Sequence, residues 1–430
     1  MRKYTVITLM LIVAVLLAGC GKETDLPTSP SVTKGTITLV PDAFVAALNP
    51  SSTTTTGYNV YLPPGYDANR ATGYPVLYLL HGFGGNEYYF TALFSATDVA
   101  DKLISEGSID PMIIVFPSGY NPLGGSFFTN SFHQAVGNSE QHILDIVDEV
   151  DGNYNTIVGP EGRGIGGTSM GGFGAVSIAM NNPGVFSSIS SLAGPLSFQG
   201  GLSTSDASDD AYEGVLELLP TVLLETGYGA FLETHPGGDP DTFRAMIYPS
   251  PDRIITSFMF AASAAWSPTP FDLSDPNNPT PIMSESTIPF LPTGDPVFVD
   301  LPIGIDGDTL SAVFEDRWLP HDPMTRLIST SPTIPNQAAN IAPPAVAFYI
   351  DAGESDNLGF NVGQEYFAGA YTSVFTTPPT VNNSNGYEIT DLFPGYGALP
   401  NPGGDDIAAD HTTQTFDRLF DLIQFHADHF

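Results

Sequence analysis

Gly167-Thr168-Ser169-Met170-Gly171-Gly172 lies between an apolar run and a helix-compatible run, and the meaning of its GxSxG spacing decides how the chain is read. A serine that attacks a carbonyl must stand clear of its own backbone, and a strained turn from strand to helix exposes it. Glycines two before and two after Ser169 let strand and helix backbones pass closely, and the helix N-terminus brings a positive dipole end near developing negative charge. In a chain with 44 glycines the pentapeptide alone is a modest signal, so the flanking sequence must supply its context.

That context is an alternation of strands and helices. Pro75–Leu80, Met112–Phe116 and Ala345–Ile350 are continuous apolar runs, as in strands buried on both faces, and Ser187–Leu192 reads as another short strand. Helix-compatible stretches fall at Glu87–Glu106, Ser139–Val150 and Met170–Asn182, the last stopped by Pro183-Gly184. Thr36–Val40 and Tyr58–Leu62 alternate apolar and polar residues, which predicts an antiparallel hairpin at a sheet edge. Strand and helix in this order give an α/β fold with a mostly parallel central sheet flanked by helices.

The sequence His81-Gly82-Phe83-Gly84-Gly85 follows the first buried strand. When a serine attacks an ester, the carbonyl oxygen takes on negative charge, and losing one of the backbone N–H groups that hold it costs about 3 kcal/mol. Met170, directly after the nucleophile, supplies one donor, and Phe83 or a neighbour supplies the other. His81 shapes the loop and precedes the serine, the wrong side for the usual chain order of serine, acid, histidine. Downstream, Ala345–Ile350 empties into Asp351, Glu354 and Asp356, at a strand end where such sheets bind ligands. Asp356 is the preferred acid, with Asp351 and Glu354 as alternatives. Of the later histidines, His411 precedes a helix running to the C-terminus and is the preferred base, while His426 and His429 lie in the last helical turn, where they cap the dipole.

Together these segments resemble the esterase-D-like branch of the α/β-hydrolases. The residues that carry the resemblance are Tyr78–Gly85, Asp148–Thr156 with Gly166–Gly172, the GxxD of Gly353–Asp356, and His411. That family includes feruloyl and acetyl-xylan esterases, S-formylglutathione hydrolases, enterochelin esterases and mycolyltransferases. The resemblance implies an α/β-hydrolase fold with Ser169 as nucleophile, His411 as base, Asp356 as acid, and Phe83 and Met170 as oxyanion donors. It covers about residues 58–198 and 343–430. The helix after His411 departs from the family pattern, with Thr412-Thr413-Gln414-Thr415-Phe416 in place of an aromatic-rich run.

Composition bounds the rest. A chain of 430 residues, 42% of them hydrophobic, can bury a large core, and a net charge of −35 excludes nucleic acid as a partner. Arg2 and Lys3 precede an apolar core, Thr5–Leu17, which is too short to span a bilayer comfortably and ends at Leu17-Ala18-Gly19-Cys20. This is the pattern of a bacterial lipoprotein signal, so Cys20 is the expected lipidation site and membrane anchor, at the cell surface or outer membrane. Cys20 is the only cysteine, which leaves no intrachain disulfide and no cysteine-based metal site. Residues 21–34 read as a tether. The core then runs from 35 to 198 and from 343 to 430, and residues 199–342 between its two parts read as a cap, in which Met259, Phe260, Trp266, Phe271, Phe290 and Trp318 line a groove or form the cap's own core. His321-Asp322 precedes the last strand and reads as structural. Asp206, Ser208, Asp210 and Glu213 lack the glycine of a Ca²⁺-binding loop.

The expected activity is carboxylic ester hydrolysis through an acyl-enzyme, without metal or organic cofactor, on feruloyl, acetyl or other acyl esters of carbohydrates, or on polyesters. An acyltransferase of the same fold is an alternative, as is a glycan-binding surface lipoprotein without catalysis.

Overall fold

The computed structural model describes residues 33–49, 56–198, 254–272, 274, 280–281, 287–290, 296–302, 311–352, 360–376, 378–383 and 415–430. Cys20, the tether up to residue 32, residues 199–253, Glu354, Asp356 and His411 lie outside the described residues.

In chain order the elements are β1 (Thr36–Pro41), α1 (Ala43–Leu48), β2 (Gly57–Leu62), β3 (Val76–Leu80), α2 (Ala96–Glu106), β4 (Ile113–Pro117), α3 (Ser139–Asn153), β5 (Arg163–Thr168), α4 (Met170–Asn181) and β6 (Ser188–Leu192). They continue with α5 (Ile254–Trp266), β7 (Phe271–Asp272), β8 (Thr280–Pro281), β9 (Thr287–Phe290), β10 (Pro296–Asp300), α6 (Pro323–Ile328), β11 (Ala347–Ala352), α7 (Phe360–Val374), β12 (Thr380–Asn383) and α8 (Thr415–Ala427). Eight strands form one sheet in the order β1-β2-β4-β3-β5-β6-β11-β12. The pairs β1/β2 and β2/β4 are antiparallel and all others parallel, the α/β-hydrolase arrangement that the alternation of strands and helices predicts. β7 pairs with β8 and β9 with β10 in two small hairpins outside the sheet.

The apolar run of β3 shows how the layers are built. Val76, Tyr78 and Leu80 face one core with α3, α4, α5 and α7, whereas Leu77 and Leu79 face a second core with α2 and α8. Side chains alternate across a strand, so a strand covered by helices on both sides is apolar at every position.

Four local readings change. The expected helix over Glu87–Glu106 is two pieces, a wide turn at Tyr89–Leu93 and then α2, because Ser95 takes a left-handed conformation with φ 50°. α1 is an unforeseen helix between β1 and β2, capped by Asp42, whose carboxylate accepts from the Val45 N–H at 2.9 Å. His426 does not cap a helix end in solvent. It is fully buried across β5, with ring nitrogens 2.7 and 2.8 Å from the hydroxyls of Ser188 and Ser190. That ring explains the Gly164 and Gly166 alternation, since a Cβ on Gly164 would sit 2.5 Å from the imidazole. Finally, Met259, Phe260, Trp266 and Trp318 are buried in the same core as α4. The Trp266 ring lies 4.5 Å from Phe198 and 4.8 Å from Phe127, so the described part of the middle segment packs on the hydrolase sheet layer rather than around a separate centre. The side chains of Phe271 and Phe290 lie outside the described ones.

Candidate active site

Ser169 sits between the end of β5 and the first residue of α4, with φ 56° and ψ −118°. For a residue carrying a Cβ this backbone is sparsely populated and costs about 1–3 kcal/mol, which the surroundings must over-determine. The restraints are visible. The Ser169 N–H donates to the Leu192 carbonyl at 2.7 Å, and its own carbonyl accepts from the Phe173 N–H at 3.0 Å. Close approach explains the two glycines: a Cβ on Gly171 would lie 1.9 Å from the Leu80 carbonyl oxygen, and one on Gly167 would lie 2.4 Å from the Gly171 backbone. Helix and strand ends meet here with no room for a side chain, and Ser169 stands at the carboxyl edge of the sheet, where ligands bind in folds of this kind.

The His81–Gly85 loop lies against this elbow, since a Cβ on Gly82 would be 3.5 Å from the Thr168 carbonyl oxygen. His81 is buried, with one ring nitrogen donating and the other accepting. Nε2 accepts from the Gly119 N–H at 2.8 Å, so the proton sits on Nδ1, which donates to the Gly82 carbonyl at 2.8 Å. That carbonyl also accepts from the Gly85 N–H at 3.0 Å. In a trans peptide the C=O and the following N–H point in opposite directions, so a held Gly82 carbonyl aims the Phe83 N–H away from His81. The Gly84 N–H is spent on the Gly124 carbonyl at 2.8 Å. Among the N–H groups of Phe83, Gly84 and Gly85, that of Phe83 alone has no acceptor among the described residues. Met170 is the first residue of α4, where a backbone N–H has no intrahelical acceptor.

On the acid side, Asp351 lies one residue before the end of β11, fully buried and paired with Arg418 of α8, itself fully buried. The guanidinium Nε lies 3.0 Å from the carboxylate, Nη2 donates to the Asp351 carbonyl at 2.9 Å, and the Tyr349 hydroxyl donates to the carboxylate at 3.2 Å. Sequence reasoning placed Asp351 among the candidate acids and gave no role to Arg418. A lone arginine in a C-terminal helix carries no local signal for a partner 67 positions away. Asp322 is structural, as read: it caps α6, accepts from the Phe198 N–H at 3.2 Å, and burial pushes its carboxyl up to about 6. Among the described residues there is no cluster of three or more side chains suited to a metal, and no helix long and apolar enough to cross a membrane.

Several histidines here are held neutral. Burial pushes His81 down to about 4, and His133 and His426 down to about 3. Their stabilising contribution is complete above the unfolded-state value near 6.5 and is lost as pH falls through that value towards 3–4. Asp322, raised by burial, works in the opposite sense between about 4 and 6, and Glu87 is raised by burial as well, but these two carboxyls oppose five imidazoles, since burial also lowers His142 and His321. The melting temperature is therefore expected to be flat from pH 8 to 7 and to drop steadily below 6.5. A His426→Gln variant, which keeps a polar partner for Ser188 and Ser190 but cannot titrate, should show a shallower drop. Equal slopes for the two proteins would remove His426 from this account.

A mostly parallel eight-stranded sheet with a strained serine elbow after β5 defines an α/β-hydrolase-fold protein of the elbow-serine type. The chain belongs to the Esterase family ("Putative esterase"), whose model matches residues 51–325, including Ser169 and part of the middle segment that the sequence resemblance did not cover. It is 37% identical over 146 residues to an esterase of Mycobacterium tuberculosis, covering 33% of this chain and 30% of that protein. It is 33% identical over 133 residues to an endo-1,4-beta-xylanase/feruloyl esterase of Xylanibacter ruminicola, covering 30% of this chain and 18% of that protein. The aligned part thus spans less than a third of the length of these curated relatives. Among solved structures a ferulic acid esterase matches over 93% of this chain and 100% of that chain, with a TM-score of 0.50 at 14% identity, a likeness of fold.

Proposed function

We propose that this protein is a carboxylic ester hydrolase that works through an acyl-enzyme on Ser169. The observation that carries the reading is the pairing of the strained Ser169 elbow with a Phe83 N–H that is aimed by its neighbours and has no acceptor among the described residues. In the proposed mechanism His411, oriented by Asp356, takes the Ser169 proton as the hydroxyl oxygen bonds to the ester carbonyl carbon. The Phe83 and Met170 N–H groups hold the oxyanion, the C–O bond to the alcohol breaks, and His411 returns the proton to the alcohol. Water then repeats the sequence and releases the acid.

The substrate class we propose is acyl esters of carbohydrates, feruloyl or acetyl among them. The support is the family, together with a local relative that carries both xylanase and feruloyl esterase in its name. A Cys20-linked lipid anchor would hold the enzyme at the cell surface, where such polymers are met, and loss of lipid incorporation in Cys20→Ser is its test. The middle segment is proposed as a cap over the site; the support is that the rings of Phe258 in α5 and Phe83 lie 5.6 Å apart.

The protein lacking residues 1–20 is expected to hydrolyse p-nitrophenyl acetate or methyl ferulate and to bind one fluorophosphonate per chain at Ser169. Neither turnover nor labelling would leave the glycan-binding alternative as the better account.

A further inference from the structure

The oxyanion loop does not hold itself. Its Gly84 N–H and His81 Nε2 are both engaged by one segment, Gly119–Phe128, which connects β4 to α3 and for which the elbow chemistry gives no reason. The centre of that segment is Asn121, which is fully buried and bonds its own turn with both its Oδ1 and its Nδ2. Its Oδ1 accepts from the Leu123 N–H at 2.9 Å and the Gly125 N–H at 3.1 Å, and its Nδ2 donates to the Gly125 carbonyl at 3.0 Å. The turn so formed presents Gly124 and Gly125 to the two oxyanion donors. Gly124, at φ +96°, lies under the Phe83 ring, where a Cβ would be 2.7 Å from it, and its carbonyl receives the Gly84 N–H. Gly125 lies against Met170, where a Cβ would be 2.3 Å from Sδ. Phe127 and Phe128, at φ 51° and 49°, close the segment in the strained left-handed region. Phe127 packs on Phe258 and Phe173, and Phe128 on His81.

From this geometry we propose that Asn121 is a positioning residue for catalysis, and that the Asn121–Gly125 turn sets the separation and aim of the Phe83 and Met170 N–H groups. The proposal rests on the esterase reading above. Two donors on different elements, one at a strand end and one at a helix N-terminus, have no covalent reason to keep a fixed spacing. A buried side-chain amide that satisfies three backbone groups of the intervening turn supplies one. Preorganised donors act on the charge that develops in the transition state, so a displaced donor lowers kcat while ground-state binding is unaffected.

Asn121→Asp tests this, because it keeps the size and both Oδ1 contacts but sets a carboxylate oxygen against the Gly125 carbonyl. Losing one donor outright costs about 10²–10³ in kcat, so displacing one is expected to lower kcat for p-nitrophenyl acetate by about 10–100-fold with KM changed less than about twofold. Affinity for a trifluoromethyl ketone, which forms a tetrahedral oxyanion on the serine, should fall by the same factor. Gly125→Ala leaves the Asn121 hydrogen bonds in place and pushes on Met170 and, at 3.3 Å, on the Phe83 ring, so it carries the test if Asn121→Asp does not fold; its kcat and trifluoromethyl ketone affinity should fall together as well. If a folded variant of either kind keeps its kcat, or loses kcat while keeping trifluoromethyl ketone affinity, the proposal is overturned. A parent protein that turns over no ester would instead overturn the esterase reading itself.

Discussion

Ser169→Ala is expected to lower ester turnover by roughly 10⁴-fold or more, because the residual rate then comes from the oxyanion donors and substrate binding alone. The same variant should melt within a few degrees of the parent. Alanine has the same Cβ and therefore the same backbone strain at φ 56°, and the Gly167 and Gly171 contacts that force the elbow are untouched. Ser169→Gly separates strain from chemistry. It is equally inactive, yet it relieves a conformation costing about 1–3 kcal/mol and should be at least as stable as Ser169→Ala, even after the extra backbone entropy of glycine. Turnover and thermal melting of the two variants side by side decide the matter. An active Ser169→Ala would mean that the nucleophile is elsewhere, and a Ser169→Gly less stable than Ser169→Ala would mean that the elbow is not strained.

Arg418→Met is expected to be the most destabilising single change among the charged residues. Breaking a fully buried ion pair leaves a buried carboxylate without its guanidinium and costs about 3–5 kcal/mol, whereas removing both charges can be nearly neutral. Asp351 and Arg418 are each fully buried, join β11 to α8, and lie in the two parts of the chain that carry Asp356 and His411 in sequence. The double variant Asp351→Asn, Arg418→Met keeps an acceptor for the Tyr349 hydroxyl and removes both charges, so it should recover at least half of the stability lost in Arg418→Met. The expected shift in the single variant is roughly 5 °C or more. Denaturant melts of the three proteins check it. A double variant as unstable as the single one would assign the loss to packing and hydrogen bonds, not to the stranded charge.

Much of this molecule is legible locally. The continuous apolar runs gave β3, β4 and β11 to within about two residues, and the spacing of Ser169 between Gly167 and Gly171 gave the elbow, because a backbone clash is a short-range matter that the sequence records directly. His81 was legible as a loop former from its place before the serine. His426 was misread because a histidine near a helix end is ordinary in sequence, and nothing local shows that α8 lays its ring over the glycines of β5, 236 to 238 positions from the serines it bonds. Arg418 and Asn121 were missed for the same reason: each draws its meaning from partners that only the packed chain supplies.

The sequence by itself determined the alternation of strand and helix, the sheet class and the serine elbow, since hydrophobic periodicity and steric exclusion act over a few residues. The tertiary structure alone decided which N–H groups of the His81–Gly85 loop are spent, which charges are buried together, and that α5 packs into the hydrolase core beside α4. Those depend on long-range closure of the chain, where a hydrogen bond or a buried charge is stabilised only once its distant partner has arrived.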